Sequence, residues 1–407
     1  MPDGVPTRSL TRLTLRLVPL SPVHVGDGTE LRPDEYLLEE ASKERKYDEA
    51  GEEIEEPGSP RPMARLARFD PAEAMRLMAE PERQRFRQAL DAGRLADVAK
   101  ALRSAGTRCI IERIPVSSRS LADLRKAIEQ PEARSGQVKP FVRTGGQPYI
   151  PGSSVKGAFR TALASAALPR EARAPDTWTH KTAMAAALGV SPADTSTDPL
   201  RFLHVSDAML PQGATLIDRA EVFHPEKPAT RGMQLHYERT KSLMDGGEAP
   251  EFQITLTVDS RARNPDLVTR EGARFDARSL LAQLFVFHFK LFLEENKGFF
   301  EENKRFSPET AKLLEQKIRA QRSPSGTPVL AGGKWHPDFF LFRLGRFGHF
   351  ESKSLEGVRR GHVPQAKDQK IRPPGAWGAT RTVTRDARGN PIPFGWVLGW
   401  ITGQETQ

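Results

Sequence analysis

The segment from Tyr149 to Leu163 changes abruptly from extended chain to helix, and this change constrains the fold more than any other feature of the sequence. The Pro151-Gly152 pair predicts a turn, and the residues after it predict a helix from about Ser153 to Leu168 with one apolar face. Ser153 or Ser154 is expected to cap this helix, so that its first N–H groups and the positive end of its dipole point beyond the turn. The sequence therefore predicts a phosphate-binding site at this turn.

The predicted helix carries two basic side chains on one face, Lys156 and Arg160, which are one helical turn apart. With Gly152, Ser153 and Ser154 they would form a cradle for a polyanion. The alternative is an ordinary capped amphipathic helix whose two basic side chains are simply solvated.

Several enzyme motifs have a similar sequence, but none of them fits. A Walker phosphate loop requires Gly-Lys-Ser/Thr, whereas Lys156 precedes Gly157 here. A hydrolase nucleophile elbow requires a glycine two residues after its serine, and Lys156 stands in that position after Ser154. The Ser-x-x-Lys match lacks the complete supporting motifs of penicillin-binding enzymes. These comparisons exclude the three enzyme motifs and leave both the phosphate cradle and the ordinary capped helix open.

Hydrophobic periodicity predicts six main elements in the order strand, helix, strand, strand, helix, strand. The strand signals have alternate apolar residues, and the second helix is apolar on most of its circumference. This order is that of a ferredoxin-like (RRM-like) βαββαβ unit, and the sequence predicts an α+β fold in which long, partly helical insertions separate the parts of the unit. The elements are Leu13–Leu17, the helix after Gly152, Arg201–Met209, Phe252–Val258, Ser279–Glu294 and Phe339–Leu344.

Charge favours a polyanionic partner. The chain has 407 residues, a formal charge of +9 and a pI of about 9.7. Residues Glu30 to Glu56 contain 12 acidic and 4 basic side chains, so the rest of the chain carries +17. A basic surface of this kind is typical of proteins that bind nucleic acid. The acidic stretch is expected to be a solvated hairpin or loop.

A single cysteine, Cys109, excludes an internal disulfide and any zinc site with several cysteines, and we expect this residue to lie in the core. The N-terminal residues lack a signal-peptide pattern, and no run of eighteen apolar residues occurs. We therefore expect a soluble, cytoplasmic protein without a membrane, metal or cofactor partner.

Glycine, aromatic and basic residues alternate in a second region, from Arg343 to Lys353. This mixture lets a backbone approach phosphate while rings stack on bases. Its candidate RNA-binding residues are Arg346, His349 and Lys353, and Arg381 further along the chain is another. The alternative is that the basic residues are solvated and the phenylalanines belong to the core.

Four segments together resemble RAMP proteins of type III CRISPR effector complexes: Ser21–Gly28, Ile150–Gly157, Phe202–Ala208 and the glycine-rich tail. Their order, the chain length and the closing Pro393–Val397 segment are most similar to the fifth subunit of the type III-A Csm complex. The resemblance implies a RAMP core and a non-catalytic subunit in antiviral defence. Such a subunit binds CRISPR RNA, caps the filament at the 3′ portion of this guide and aids its maturation.

The resemblance also implies roles for particular residues. Ser153, Ser154, Lys156 and Arg160 would hold RNA phosphate or ribose, and the tail residues would line the same groove. His24 and Gly26 would lie near the RNA on the loop after the first strand. The implied partners are CRISPR RNA, the neighbouring RAMP backbone subunit, other subunits of the effector complex and a recruited host nuclease.

The pattern divides the chain into four parts. Residues 1–56 comprise the first strand, a glycine loop and the acidic hairpin, and residues 57–140 are a mainly helical insertion. Residues 141–300 form the main part of the RAMP core. Residues 301–407 comprise a helix, the glycine-rich basic loop and closing strands, and they could form a second RRM-like unit.

Other functions remain open at this stage. A RAMP-type endoribonuclease would use His24 as general base to process CRISPR RNA, and a target-cleaving subunit would use Asp27 or Asp34. A capping subunit of a Cmr-type complex is a further alternative. A protein-interaction platform would use the Glu39–Glu56 stretch and the helices predicted from Pro71 to Ala105.

Overall fold

The structure is a computed structural model. It describes residues 8–40, 63–130, 136–168, 180–191, 194–223, 235–301, 308–356, 358–359, 361–362, 371–372, 380–386 and 388–407. The part of the predicted acidic hairpin from position 41 to position 56 lies outside the described residues.

The helices begin and end as follows: α1 Pro71–Arg76, α2 Glu80–Asp91, α3 Leu95–Gly106, α4 Ser118–Glu129, α5 Gly152–Ala167, α6 His180–Leu188, α7 Ala277–Glu295 and α8 Pro308–Arg319. Among the residues that the structure describes, no helix is long and apolar enough to cross a membrane.

The strands before α6 are β1 Leu10–Pro19, β2 Tyr36–Glu39, β3 Arg65–Phe69, β4 Ile110–Pro115, β5 Val138–Lys139, β6 Arg143–Thr144 and β7 Gln147–Ile150. Those after α6 are β8 Leu203–Val205, β9 Ala208–Met209, β10 Thr215–Phe223, β11 Leu235–Thr240, β12 Phe252–Asp259, β13 Leu330–Ala331, β14 Lys334–Trp335, β15 Phe339–Arg343, β16 Gly361–His362, β17 Ile371–Arg372, β18 Arg381–Arg385, β19 Pro391–Pro393 and β20 Trp396–Thr406.

The main sheet has the strand order β15-β20-β1-β12-β8, and every neighbouring pair is antiparallel. Leu13 pairs with Leu256 and Leu15 with Ile254, so the alternate apolar residues of both strands face one core. The predicted strands around Leu13–Leu17 and Phe252–Val258 are therefore confirmed.

Helices α5 and α7 pack against each other and contribute to the same core as this sheet. Helix α7 buries nine of its side chains, among them Leu280, Leu284 and Phe292, which agrees with the prediction of a buried helix. The protein thus has a mixed α+β fold in which both central helices share one hydrophobic core with the main sheet.

Two of the predicted strands differ in the structure. The segment around Phe339–Leu344 forms β15, but β20 lies between it and β1, so the final strand of the chain and not β15 adjoins the first. The absence of a side chain at Gly399 permits this packing, because a Cβ there would lie 2.1 Å from the Phe340 ring.

The predicted strand Arg201–Met209 is also interrupted: it is a 3-10 turn, Pro199–Phe202, followed by the short strands β8 and β9. The Asp198 side chain caps this turn by accepting the Leu200 N–H.

A second sheet has the order β19-β18-β10-β11-β5. Helices α1 to α4 accompany a separate three-stranded sheet, β2-β3-β4, and bury small hydrophobic clusters of their own. The predicted helical region from Pro71 to Ala105 is confirmed as three helices, α1, α2 and α3. Cys109 is only partly buried, beside one of these clusters.

Candidate nucleic-acid interface

The turn before α5 differs from the prediction in how the helix is capped. The helix begins at Gly152 with Pro151 at the cap position, and no side chain from the cap position bonds to the helix. Instead the Gly152 N–H donates to Asp207 Oδ1 at 2.7 Å. The predicted cap by Ser153 or Ser154 is therefore wrong, because a carboxylate from a distant segment provides the acceptor.

Gly152 has a packing role at this point. A Cβ there would lie 2.2 Å from the Val205 carbonyl oxygen and 2.8 Å from that of Ser206. Only glycine lets the helix start this close to the chain beyond β8. The N–H of this predicted cradle residue is already bound to Asp207.

A groove of about 430 Å³ lies along the side of α5. One wall is the helix, and the others come from the loop after β1 and the glycine-rich segment after β15. The lining residues are Val25, Gly26, Ser154, Gly157, Ala158, Thr161, Arg343, Leu344, Gly345, Arg346, Ser352 and Lys353. Three segments that the sequence analysis assigned to one site thus line one groove.

Gly345 holds the glycine-rich segment against the loop after β1. Its φ of +89° is in the left-handed region, and a Cβ would lie 2.5 Å from the His24 carbonyl oxygen. That same oxygen accepts the Arg346 N–H at 2.9 Å. A glycine is required here for the conformation and for the close approach, and the following residue is thereby fixed at the groove.

Two exposed cations of the glycine-rich segment line the groove, Arg346 and Lys353. Lys353 Nζ donates to the Arg346 carbonyl oxygen at 2.9 Å. Loss of hydration, together with the charges of Arg343 and Arg346, lowers the pKa of Lys353. Within the described part of the chain neither cation forms a salt bridge with a carboxylate, so an anion in the groove would relieve their mutual repulsion.

A third cation, Arg343, contributes to the groove from a buried position. It forms a 2.8 Å salt bridge with Glu295, and its Nε donates to the Phe394 carbonyl oxygen. Its Nη2 is buried and has no hydrogen-bond partner among the residues that the structure describes. Within the described part of the chain, this nitrogen is thus a donor without an acceptor.

Lys156 and Arg160 are not part of this groove. Lys156 Nζ donates to the Leu203 carbonyl oxygen at 2.8 Å, and Arg160 forms a salt bridge with Asp198. At roughly 100° per residue, both side chains leave the helix more than about 100° away from the middle of its groove-lining face. The structure therefore separates them from the tail residues with which the sequence analysis grouped them.

Of three other predicted residues, His24 and Arg381 are buried and His349 is partly buried. His24 is 2% exposed and donates from Nδ1 to the Glu238 carbonyl oxygen at 2.6 Å; burial lowers its pKa to about 4. His349 has a φ of +58° and accepts the Thr382 N–H at Nε2. Arg381 is buried in salt bridges with Glu295 and Glu351. Their observed contacts support the groove instead of lining it.

The RAMP superfamily model matches residues 16–319. The chain belongs to the RAMP superfamily. The resemblance inferred from the sequence is thereby confirmed for the superfamily over most of the chain.

This RAMP chain shares its fold with a chain of known structure. One similar chain is in a cryo-EM structure of a Csm–crRNA–target RNA ternary complex of a type III-A CRISPR–Cas system. It is 17% identical with a TM-score of 0.56, and the match covers 95% of the present chain and 99% of that chain. Another is the crystal structure of T. onnurineus Csm5, which is 15% identical with a TM-score of 0.49 over 94% and 99% of the two chains. No curated protein matches the sequence.

The acidic candidates for target cleavage have local partners in this RAMP chain. Asp27 accepts hydrogen bonds from the N–H and the hydroxyl of Thr29, as expected for a tight turn. Asp34 lies 3.6 Å from the Arg32 guanidinium. Within the described residues, no group of three or more His, Cys, Asp or Glu side chains is arranged to hold a metal ion.

Sequence reasoning missed part of the groove. Gly157 and Thr161 line it, yet neither was among the candidates predicted on α5. A glycine in the interior of a helix is unfavourable relative to alanine and was a usable signal. Arg343 was missed because its partner Glu295 is 48 residues away in sequence.

Proposed function

We propose that this chain is a non-catalytic CRISPR RNA-binding subunit of a type III-A (Csm) interference complex in the cytoplasm. It would cap the filament at the 3′ portion of the guide RNA, aid maturation of that RNA and contact the neighbouring RAMP subunit. The observation that carries the proposal is the groove beside α5, where Arg346 and Lys353 lack carboxylate partners within the described residues. The RAMP membership and the fold similarity to a chain of a Csm–crRNA complex support it.

The proposal includes a ferredoxin-like core. Strands β20, β1, β12 and β8 are adjacent and antiparallel in that order, with α5 after β1 and α7 after β12. A βαββαβ unit has this arrangement when its fourth strand flanks the first and its third separates the first from the second. In this assignment β20 is the fourth strand and β15 is an additional edge strand.

The groove suits the backbone of RNA better than its bases. Its cations and helix hydroxyls match phosphate and sugar, and contacts of this type position a nucleic acid without reading its sequence. A subunit that accepts any guide requires this property. The rival endoribonuclease needs an accessible base that titrates near neutral pH, whereas His24 is buried with a pKa of about 4.

Replacing Arg346 and Lys353 together with alanine is expected to weaken binding of a single-stranded RNA by roughly 100-fold, about tenfold for each lost charged contact. The slope of log K against log salt should fall by roughly 1.4, because about 0.7 counterion is released per single-strand phosphate contact. Fluorescence anisotropy with a labelled RNA at several salt concentrations measures both quantities.

The matched control is Lys156→Ala with Arg160→Ala, which removes the same number of charges from the same chain but outside the groove. This variant should retain most of the affinity and the salt slope. An unchanged affinity in the Arg346/Lys353 variant, with folding verified by circular dichroism, would refute the proposed groove. Metal-independent RNA cleavage by the purified chain, lost in His24→Gln, would refute the non-catalytic assignment.

A further inference from the structure

Helix α5 presents a hydroxyl, a gap and a second hydroxyl to the groove at Ser154, Gly157 and Thr161. These positions are separated by three and four residues, so they follow one another along one face of the helix. Arg346 and Lys353 line the same groove from the glycine-rich segment. The groove therefore combines a hydroxyl-bearing wall with a cationic one.

Packing does not explain the glycine in the middle of this row. A Cβ at Gly157 would have no atom within 4 Å, and no positive φ requires a glycine there. Gly157 differs in this from Gly152 and Gly345, where a Cβ would collide with backbone atoms, and Gly345 also has a positive φ. Glycine lowers helix stability relative to alanine, so a ligand that needs the open space is a physical reason for its presence.

The two hydroxyls have hydrogen-bonding capacity to spare. Thr161 Oγ1 donates to the Gly157 carbonyl oxygen at 3.2 Å and keeps its acceptor lone pairs. The Ser154 hydroxyl has no hydrogen-bond partner among the residues that the structure describes, and Ser154 is only partly exposed. A hydroxyl ligand at Gly157 would thus lie between two available acceptors.

We propose that a ribose sits against Gly157, with its 2′-hydroxyl bonded to Ser154 and its phosphate held by Arg346 and Lys353, so that the groove prefers RNA to DNA. This inference rests on the proposed RNA-binding function and names the part of the nucleotide that the groove recognises. The 2′-hydroxyl both donates and accepts, and it is the group that distinguishes the two nucleic acids at a given site. A phosphate alone would use the cations but would have no need of the hydroxyl row.

The first test compares binding of one single-stranded RNA with binding of the same sequence in 2′-deoxy form. The DNA contains deoxyuridine instead of thymidine, so that the two strands differ only in the 2′-hydroxyl. The wild-type chain should bind the RNA about 2- to 10-fold more tightly, which corresponds to a single neutral hydrogen bond. Ser154→Ala should remove this preference by weakening RNA binding alone. Ser153→Ala is the matched control, because Ser153 is exposed and does not line the groove, and it should leave the preference unchanged.

The second test is Gly157→Ala, which places a methyl group in the gap. The melting temperature should rise, because alanine favours the helix, while RNA affinity should fall by about 2- to 10-fold. An equal preference for RNA in wild type, Ser154→Ala and Ser153→Ala would overturn the ribose assignment and leave the RNA-binding proposal standing. So would Gly157→Ala with unchanged RNA affinity. Absence of RNA binding in the wild type would overturn both proposals.

Discussion

Glu295→Ala is expected to lower the free energy of unfolding by about 3–5 kcal/mol, the cost of removing one partner from a buried ion network. Glu295 is 3% exposed and accepts hydrogen bonds from Arg343, Arg381 and the indole Nε1 of Trp396, each at 2.8 Å. These partners come from β15, β18 and β20, so one carboxylate at the end of α7 joins three strands. Its loss would leave two guanidinium groups buried without this counterion.

The charge state of Glu295 agrees with this role. Burial alone would raise its pKa, but the charges of Arg343 and Arg381 hold the pKa at about 2. The folded pKa is thus lower than the value of 4.5 for an unperturbed glutamate, so the stabilisation is complete above about pH 4.5 and is lost as the pH falls towards 2.

Urea denaturation of Glu295→Ala and of a neighbouring control tests the prediction. Glu294→Ala is the matched control, because it removes the same residue type from the adjacent position of α7. The Glu294 side chain is 54% exposed, and its ion pair with Lys290 is long, at 4.0 Å. Its effect should be within about 0.5 kcal/mol. Equal effects of the two substitutions would show that the buried network does not stabilise the fold.

The elements that the sequence predicted well have strong local signals. The helix predicted within residues 301–407 is present as α8, because a proline starts it and its apolar residues follow the helical period. Strands β1 and β12 alternate cleanly, since one face of each is buried. In these segments the local pattern and the tertiary environment agree.

Strands β10 and β11 were missed because their polar residues are buried. Asp218, Glu238 and Arg239 are each at most 3% exposed, yet in the sequence they resemble a solvated loop. In the structure Arg239 Nη2 donates to Asp218 at 2.7 Å and to Asp245 at 2.8 Å. A charge is tolerated in the interior only with such partners, and the pairing of β10 with β11 brings Asp218 and Arg239 together.

The candidate groove could be predicted from the sequence only where its signal is local. Gly26, Ser154, Arg346 and Lys353 do line one groove, because the glycine-rich character of their segments was visible locally. The cap of α5 was not predictable in this way, since Asp207 lies 55 residues from Gly152. The direction of Lys156 and Arg160 likewise depends on acceptors in a distant segment, around Asp198 and Leu203.

Stability is expected to fall by about 4 kcal/mol between pH 7 and pH 5 because of two buried histidines alone. Burial lowers the pKa of His24 to about 4 and that of His288 to about 3, where the charge of Arg343 also contributes. Both folded values lie below 6.5, the value for an unperturbed histidine. As the pH falls below 6.5 the unfolded chain binds protons that the folded chain excludes, at a cost of about 2 kcal/mol per histidine at pH 5.

His288 is the better site for a test because its ring is fully buried and neither nitrogen has a hydrogen-bond partner in the described part of the chain. His288→Leu should raise the free energy of unfolding at pH 7 by about 1–3 kcal/mol, since it removes unsatisfied polar atoms from the core. The substitution should also reduce the fall in the free energy of unfolding between pH 7 and pH 5 by about 2 kcal/mol. Urea denaturation at both pH values measures the two effects.

The adjacent Phe287→Leu substitution distinguishes proton linkage from packing. Phe287 is 7% exposed on the same helix and does not titrate, so its replacement should lower stability by the same amount at both pH values. A pH dependence that is identical in wild type and His288→Leu would contradict the prediction. If instead the free energy of unfolding depends less on pH only in His288→Leu, the acid sensitivity comes from His288. Its ring is buried on α7 in the neutral form, so the folded chain does not bind the proton that the unfolded chain binds.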